Sequence, residues 1–141
     1  MIEYSDARSF VLGAARTLPS ESVPLAAALG RTLARDVEAR EDIPPFTKAT
    51  MDGYAVRAAD TRLPAKGREG AVALEVLEDL PAGKRSRKTV GAGQAVRIMT
   101  GAPLPAGADA VVMVEHSEKR EGRVLLRREV RPGDNIGLAG E

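Results

Sequence analysis

The spacing of apolar residues predicts that the chain begins with two helices. Between Ser5 and Leu18, apolar residues recur every three or four positions, which is the pattern of an amphipathic helix with Ser5 as its N-cap. Leucines four residues apart predict a second, shorter helix over residues 26–34, and the alternation at residues 36–39 predicts a short strand. The leucines that would form the apolar stripe of this second helix are Leu25, Leu29 and Leu33.

From Thr47 onward the pattern changes to short apolar runs separated by glycine, proline and charged residues, which is typical of β-strands. The clearest run places Val72, Leu74 and Val76 on one face with a period of two. The short spacing leaves no room for helical crossovers, so we expect a mainly antiparallel sheet or barrel within an α+β fold. The predicted strands are residues 54–57, 71–78, 95–99, 110–115 and 123–129.

Composition narrows the class of protein. A chain of 141 residues fits one domain, or one domain with a small appendage. The near balance of 21 basic and 20 acidic residues, with only two Phe, two Tyr and no Trp, argues against nucleic-acid binding. No apolar run is long enough to span a membrane, and the absence of cysteine suits a reducing compartment. We therefore expect a cytoplasmic protein with no membrane or nucleic-acid partner.

The first candidate for chemistry is the pair Asp52-Gly53. It follows Pro44-Pro45, which end the preceding helical pattern, and it is flanked by apolar residues. Asp-Gly is typical of hairpin turns, because glycine accepts positive φ at little steric cost. The pair is therefore either an ordinary turn between two strands or a carboxylate placed to meet a ligand or a metal ion.

A second candidate is Thr100, which ends an apolar strand and precedes a loop rich in glycine and proline. Its hydroxyl can donate to a phosphate oxygen or help to hold a hydrated Mg²⁺, and the adjacent Gly101 allows a ligand to approach the backbone. The ordinary alternative is a β–β connection in which the threonine caps its own turn. The local pattern does not distinguish the two.

Two further features are weaker candidates. Lys84–Lys88 carries four positive charges in five residues, which suits either a phosphorylated ligand or a solvated hairpin tip. His116 is the single histidine, so a His-based metal triad cannot form within one chain. With Glu115 and Glu118 it is a weak metal-site candidate, and the simpler expectation is an exposed residue at a strand end.

Four segments, in this order and spacing, match the signatures of a known enzyme family. Ala49–Val56 resembles the hallmark S-A-M-D-G-Y-A, with Ala49 and Lys48 where many members have Ser and Asn. The other matching segments are Leu29–Val37, residues 98–112 with Glu115, and Gly133–Ile136 with residues 140–141. Together they resemble the amino-terminal part of the MoeA/gephyrin family, the molybdopterin molybdenumtransferases. The match covers nearly the whole chain and stops within the last motif.

The resemblance implies that the chain is the amino-terminal fragment of an enzyme that inserts molybdenum from molybdate into adenylated molybdopterin and releases AMP with Mg²⁺. It implies a homodimer in which a missing carboxy-terminal α/β domain completes the site, so that this chain alone is inactive. Residues 1–44 would be a helical dimerisation segment of the first domain. Residues 45–134 would be the β module, and residues 135–141 the truncated start of a return into the first domain.

Carried over residue by residue, the resemblance implies two catalytic groups, Asp52 and Thr100, with Asp52 also a candidate metal ligand. The neighbouring positions implied to bind substrate are Met51, Gly53, Gly101 and Ala102. Thr100 with the Gly101 backbone would hold a phosphate or pterin-side oxygen. Two other readings of the chain stay open. It could be a non-catalytic module that binds a nucleotide-like or anionic ligand or a protein partner, or a structural segment that dimerises through its leucine stripe.

Overall fold

A computed structural model describes residues 2–63 and 70–141 of the chain. The chain divides into two compact units, one within residues 1–38 and the other within residues 39–141. The first unit contains helix α1 (Tyr4–Ala14) and a 3₁₀ turn at Leu25–Ala27, and neither element contains a buried residue. The assignment of residues 1–44, 45–134 and 135–141 to separate parts of the family's architecture stays a prediction.

The predicted helices are only partly confirmed. Helix α1 begins at Tyr4 and ends at Ala14 rather than at Leu18, so Ser5 lies inside the first turn and is not the N-cap. The second helix is wrong, because its segment forms a single 3₁₀ turn and Gly30 has a φ of +80°, which ends any helix. The three leucines of the stripe are 90%, 97% and 73% exposed, and a short helix that buries no apolar face is marginal. Residues 36–39 do not form a strand.

The second unit is built from two sheets. The strands are β1 (Lys48–Ala49), β2 (Gly53–Val56), β3 (Val72–Leu80), β4 (Gln94–Ile98), β5 (Ala110–Met113), β6 (Ser117–Arg120), β7 (Arg123–Leu126) and β8 (Ile136–Gly137). A two-stranded antiparallel sheet pairs β1 with β8, and a six-stranded sheet has the order β5-β2-β4-β3-β7-β6. One helix together with these sheets confirms the predicted α+β class.

The five predicted strands are all present, each with ends within three residues of the prediction. The sequence pattern missed β1, β6 and β8, which are two to four residues long and carry no apolar alternation. The sheet is mainly antiparallel, as predicted, but β3 and β4 are parallel neighbours. Residues 81–93 therefore return the chain from the end of β3 to the start of β4, at the opposite ends of the strands.

Two clusters of buried side chains pack on opposite faces of β2, because alternate residues of a strand point to opposite sides. Tyr54 and Val56 belong to one cluster, and Ala55 belongs to the other. All four residues of β2 are buried, which explains why its sequence lacks a polar face. Burial on both sides makes β2 a rigid support for the residues that precede it. Within the described residues, no helix is long and apolar enough to cross a membrane.

Candidate functional site

The structure brings Asp52 and Thr100 into direct contact, although they are 48 positions apart in the chain. Asp52 Oδ1 accepts a hydrogen bond of 2.6 Å from Thr100 Oγ1 and another of 2.7 Å from the Thr100 backbone N–H. Both residues are exposed. One carboxylate oxygen is thus held by two donors from a single threonine at the protein surface.

Strand pairing explains why these two residues meet. Gly53, the first residue of β2, lies opposite Ile98, the last residue of β4, and the two strands are antiparallel. The residue before β2 and the loop after β4 therefore emerge at the same edge of the sheet. Asp52 is held further because its carbonyl oxygen accepts a hydrogen bond of 3.0 Å from Val114 N–H, just beyond β5. We call this edge, defined by Asp52 and Thr100, the Asp52–Thr100 edge.

Gly53 has a different role from the one that its Asp-Gly pattern suggested. The strands on either side of the pair do not form a hairpin, because β1 pairs with β8 whereas β2 pairs with β4 and β5. The hairpin-turn interpretation is therefore wrong, and Gly53 does not have positive φ. Instead, a Cβ at this position would lie 2.0 Å from Val112 O, so glycine is required by the close approach of β5.

The loop after Thr100 uses its backbone donors within the protein. Gly101 N–H donates to Ala49 O at 2.8 Å, and Ala102 N–H donates to Met99 O at 3.0 Å. Gly101 has a φ of +83° with open space around it, whereas Ala102 is fully buried. The Gly101 N–H is therefore already paired within the protein, and the expected role of the Gly101 backbone in holding a phosphate stays a prediction. Substrate binding by the loop, and by Met51 and Gly53, stays a prediction.

Hydrogen bonding stabilises the ionised form of the Asp52 carboxylate. The Thr100 hydroxyl, followed by the Thr100 backbone N–H and the nearby Arg97 charge, lowers the pKa of Asp52 below its ordinary value. These donors stabilise the charged form, and the residue is too exposed for desolvation to reverse the effect. At neutral pH, Asp52 is therefore an anionic acceptor and a weak base, better suited to hold a cation or orient water than to accept a proton.

A divalent cation fits this arrangement only if the substrate supplies further ligands. No group of three or more His, Cys, Asp or Glu residues that could hold a metal ion occurs within residues 2–63 and 70–141. Mg²⁺, however, is often bound through one or two carboxylates, water and substrate phosphates. Asp52 Oδ2 accepts no hydrogen bond from the described part of the chain, so it is available as one such ligand.

The protein family described as "MoeA N-terminal region (domain I and II)" matches residues 2–141. The chain belongs to this family. It is 44% identical over 126 residues to a Bacillus subtilis protein named molybdopterin molybdenumtransferase, covering 86% of this chain and 29% of that one. It is 39% identical over 140 residues to a Staphylococcus aureus protein of the same name, covering 99% of this chain and 33% of the relative.

A solved structure from the same family supports the fold. The crystal structure of the molybdopterin biosynthesis MoeA protein from Pyrococcus horikoshii matches with a TM-score of 0.83 and 38% identity. The match covers 100% of this chain and 37% of the Pyrococcus horikoshii chain. The chain thus spans about a third of the length of its relatives, and the resemblance stated from the sequence is confirmed.

The basic segment Lys84–Lys88 is not a hairpin tip, because the strands on either side of it are parallel. Lys88 Nζ donates to Leu77 O at 2.5 Å, and Ser86 Oγ donates to the carboxylate of Glu78. These contacts fold the segment back along the outer part of β3. The expectation of a solvated surface run is met in one respect, since its cationic residues are exposed.

His116 lies in a 3₁₀ turn directly before β6, so its position at a strand end is as expected, but its side chain is partly buried rather than exposed. Its Nε2 is 2.9 Å from Arg128 Nη1. Glu118 is instead bound by arginines, and hydrogen bonds from Arg127 and Arg120 lower its pKa. The weak metal-site candidate built on His116 therefore does not form in the described part of the structure.

Asn135 lies in the family-like segment Gly133–Ile136, and its structural role was not predicted from the sequence. Its φ is +58°, its Nδ2 donates to Val111 O at 2.7 Å, and its carbonyl oxygen accepts from Thr50 N–H at 3.0 Å. It therefore joins the outer edge of β5 to the segment just before Asp52. Asparagine adopts the left-handed conformation more readily than most residues other than glycine, and this was the available signal.

Proposed function

We propose that the chain supplies one half of the active site of an enzyme that inserts molybdenum from molybdate into adenylated molybdopterin and releases AMP. Its relatives are named molybdopterin molybdenumtransferase, which supports a role in molybdenum cofactor biosynthesis. The observation that carries the proposal is the double hydrogen bond from Thr100 to Asp52 Oδ1 at an exposed sheet edge.

In this proposal Asp52 acts as a charged group that positions a cation or water at a phosphoanhydride. Its lowered pKa keeps it anionic, and Thr100 fixes the orientation of the carboxylate so that Oδ2 is the oxygen left for the ligand. Mg²⁺ bound by Oδ2 and by substrate phosphates would supply charge neutralisation during cleavage. Positioning and charge account for most of the catalysis of phosphoryl chemistry, so few protein groups are needed.

The remaining parts of the site come from outside this chain. The relatives are about three times as long, and we propose that a carboxy-terminal α/β domain completes the cleft in a cytoplasmic homodimer. The chain alone is then expected to bind part of the substrate without turning it over. Molybdate and adenylated molybdopterin are the substrates in this proposal, and Mg²⁺ is the cofactor.

The test is carried out in a full-length enzyme that carries this sequence at its amino end. Asp52→Asn keeps the shape and an acceptor but removes the charge, and Thr100→Val removes the hydroxyl at nearly constant volume. We expect AMP release to fall by about 10²-fold or more in Asp52→Asn, and by less in Thr100→Val, in which the backbone N–H still holds the carboxylate. Wild-type rates of AMP release and molybdenum insertion in both variants would refute the assignment.

Thr100→Ser is the matched control, because it keeps the hydroxyl and removes only a methyl group. Thr100→Ser should therefore be more active than Thr100→Val and should keep most of the wild-type activity.

A complementation experiment separates the proposal from a non-catalytic binding module. An enzyme fragment regains AMP release when the α/β domain is added in trans, whereas a binding module takes up ligand and never gains turnover.

A further inference from the structure

The basic loop Lys84–Lys88 leaves the sheet at the Asp52–Thr100 edge. Because β3 is parallel to β4, both strands end at the same edge, with their last residues opposite each other. Met99 N–H donates to Leu80 O at 3.1 Å, which joins the ends of the two strands directly. The segment that follows Leu80 therefore begins beside the segment that carries Thr100.

A contact with an aromatic ring holds this loop against the segment that leads to Asp52. The Arg85 guanidinium lies 5.9 Å from the centre of the Phe46 ring, within the range of a cation–π interaction. Phe46 is followed by Thr47, whose carbonyl oxygen accepts a hydrogen bond of 2.9 Å from Leu104 N–H. The loop, the approach to Asp52 and the loop after Thr100 thus form neighbouring parts of one surface.

The charge of this surface is positive after its acidic residues are counted. Asp79 Oδ2 lies 3.7 Å from Arg97 Nη1 and 3.8 Å from Lys119 Nζ, so other cations offset its charge. Glu78 accepts a hydrogen bond from Ser86 and is the one carboxylate hydrogen-bonded to the loop within the described residues. The four cations of the loop therefore exceed the negative charge beside them.

We infer that the Lys84–Lys88 loop recruits a polyanionic, phosphorylated ligand to the Asp52–Thr100 edge. The ionised Asp52 repels such a ligand, and the loop supplies the opposing attraction. Leu80 and Gly53 are separated by two strand spacings, or about 10 Å. The screening length in physiological salt is about 8 Å, so cations on a loop that begins at this distance from Gly53 act on the approach of the ligand, and their effect depends on salt.

This inference rests on the proposed function for the nature of the ligand, but its test does not require turnover. The probe is inorganic pyrophosphate, titrated into the 141-residue chain while the amide signals of Thr100 and of the loop are followed by NMR. The test variant carries Lys84→Gln and Arg87→Gln, which leave the Arg85 contact with Phe46 in place. Because both residues are exposed, the variant should keep its fold, which the amide spectrum also reports.

The matched control removes two charges at the opposite edge of the sheet. Arg62 and Arg131 are exposed and follow Thr61 and Val130, which are hydrogen-bonded to each other at 3.1 Å beyond the other end of β2. The control variant carries Arg62→Gln and Arg131→Gln. It has the same net charge as the test variant, so any difference between them reports where the charge lies.

We expect the test variant to bind pyrophosphate about tenfold more weakly than the unmodified chain at about 10 mM salt. At about 0.5 M salt, the two affinities should differ by less than about twofold. The control variant should change binding by less than about twofold at either salt concentration. Equal weakening in both variants, or no response of Thr100 to pyrophosphate, would overturn the inference. Failure of the proposed function would show separately, as wild-type turnover in the Asp52→Asn enzyme.

Discussion

Replacing Gly53 by alanine tests why a glycine is needed at this position. The glycine is needed either because β5 passes close to β2 or because the backbone turns here. The added Cβ would lie 2.0 Å from Val112 O, 2.9 Å from Val112 C and 3.1 Å from Met113 Cα. A relaxed carbon–oxygen contact is about 3.3 Å, so β2 and β5 must separate by about 1.3 Å at this point. Both strands are buried on both faces, which leaves little room for the movement.

Overpacking of this kind typically costs about 1–3 kcal/mol, and the backbone position of the clash favours the upper end. At roughly 4 °C per kcal/mol for a chain of this size, Gly53→Ala should lower the melting temperature by about 12 °C. The measurement is urea and thermal unfolding followed by circular dichroism. Because the separation pulls Asp52 away from Val114, the Thr100 amide signal should also move.

Two other glycines provide controls. Gly122 has a φ of +68° with nothing near its Cβ, so Gly122→Ala should cost only about 1 kcal/mol. Gly13 lies within α1 with open space around it, so Gly13→Ala should stabilise the helix by about 0.5–1 kcal/mol. If Gly53→Ala lowers the melting temperature no more than Gly122→Ala does, the close-contact reasoning is refuted.

Three further substitutions test individual contacts. Thr100→Val removes the largest cause of the lowered pKa of Asp52, so that pKa should rise toward its ordinary value in a ¹³C NMR titration. Thr61→Val removes the buried hydroxyl that accepts from Val130 N–H at 3.1 Å and should cost about 1–3 kcal/mol in urea unfolding. Asn135→Ala removes a side-chain donor and places alanine at a φ of +58°, so it should cost about 2 kcal/mol in the same assay.

The sign of the pH effect follows from the lowered pKa. The stability that Asp52 contributes is present above its unfolded pKa and is lost as the pH falls through the folded pKa. Thr100→Val should therefore reduce the stability that is lost at acid pH. An unchanged pKa of Asp52 in this variant would contradict the hydrogen bond assigned to the Thr100 hydroxyl.

Thr61→Ser and Asn135→Gly are the matched controls for the other two substitutions. Thr61→Ser keeps the hydroxyl, and Asn135→Gly keeps the tolerance of positive φ. Full stability in Thr61→Val or in Asn135→Ala would contradict the contact assigned to that residue.

Much of the candidate site could be inferred from the residues themselves. Asp52 was identified by its position before a glycine among apolar residues, and Thr100 by its position at a strand end. The resemblance to the family motifs then implied that both residues are catalytic groups. The family match confirms the resemblance itself. The role of Gly53 could not be inferred, because the clash with Val112 depends on a strand that is distant in sequence.

The sequence by itself located five of the eight strands that the structure describes, because apolar runs bounded by glycine, proline and charged residues are a local property of the chain. It was wrong about the second predicted helix, because Gly30 has a φ of +80° and the three leucines are exposed. Helix α1 forms although it contains no buried residue, and it ends at Ala14 rather than at Leu18.

Only the tertiary structure decided which strands are neighbours. Pairing of β2 with β4 places Asp52 beside Thr100, and the parallel pairing of β3 with β4 brings Lys84–Lys88 to the same edge. An antiparallel pair would have placed that loop at the start of β4, far from Thr100. The physical reason is that strand order and direction are set by long-range packing and backbone hydrogen bonds, which no local pattern of residues encodes.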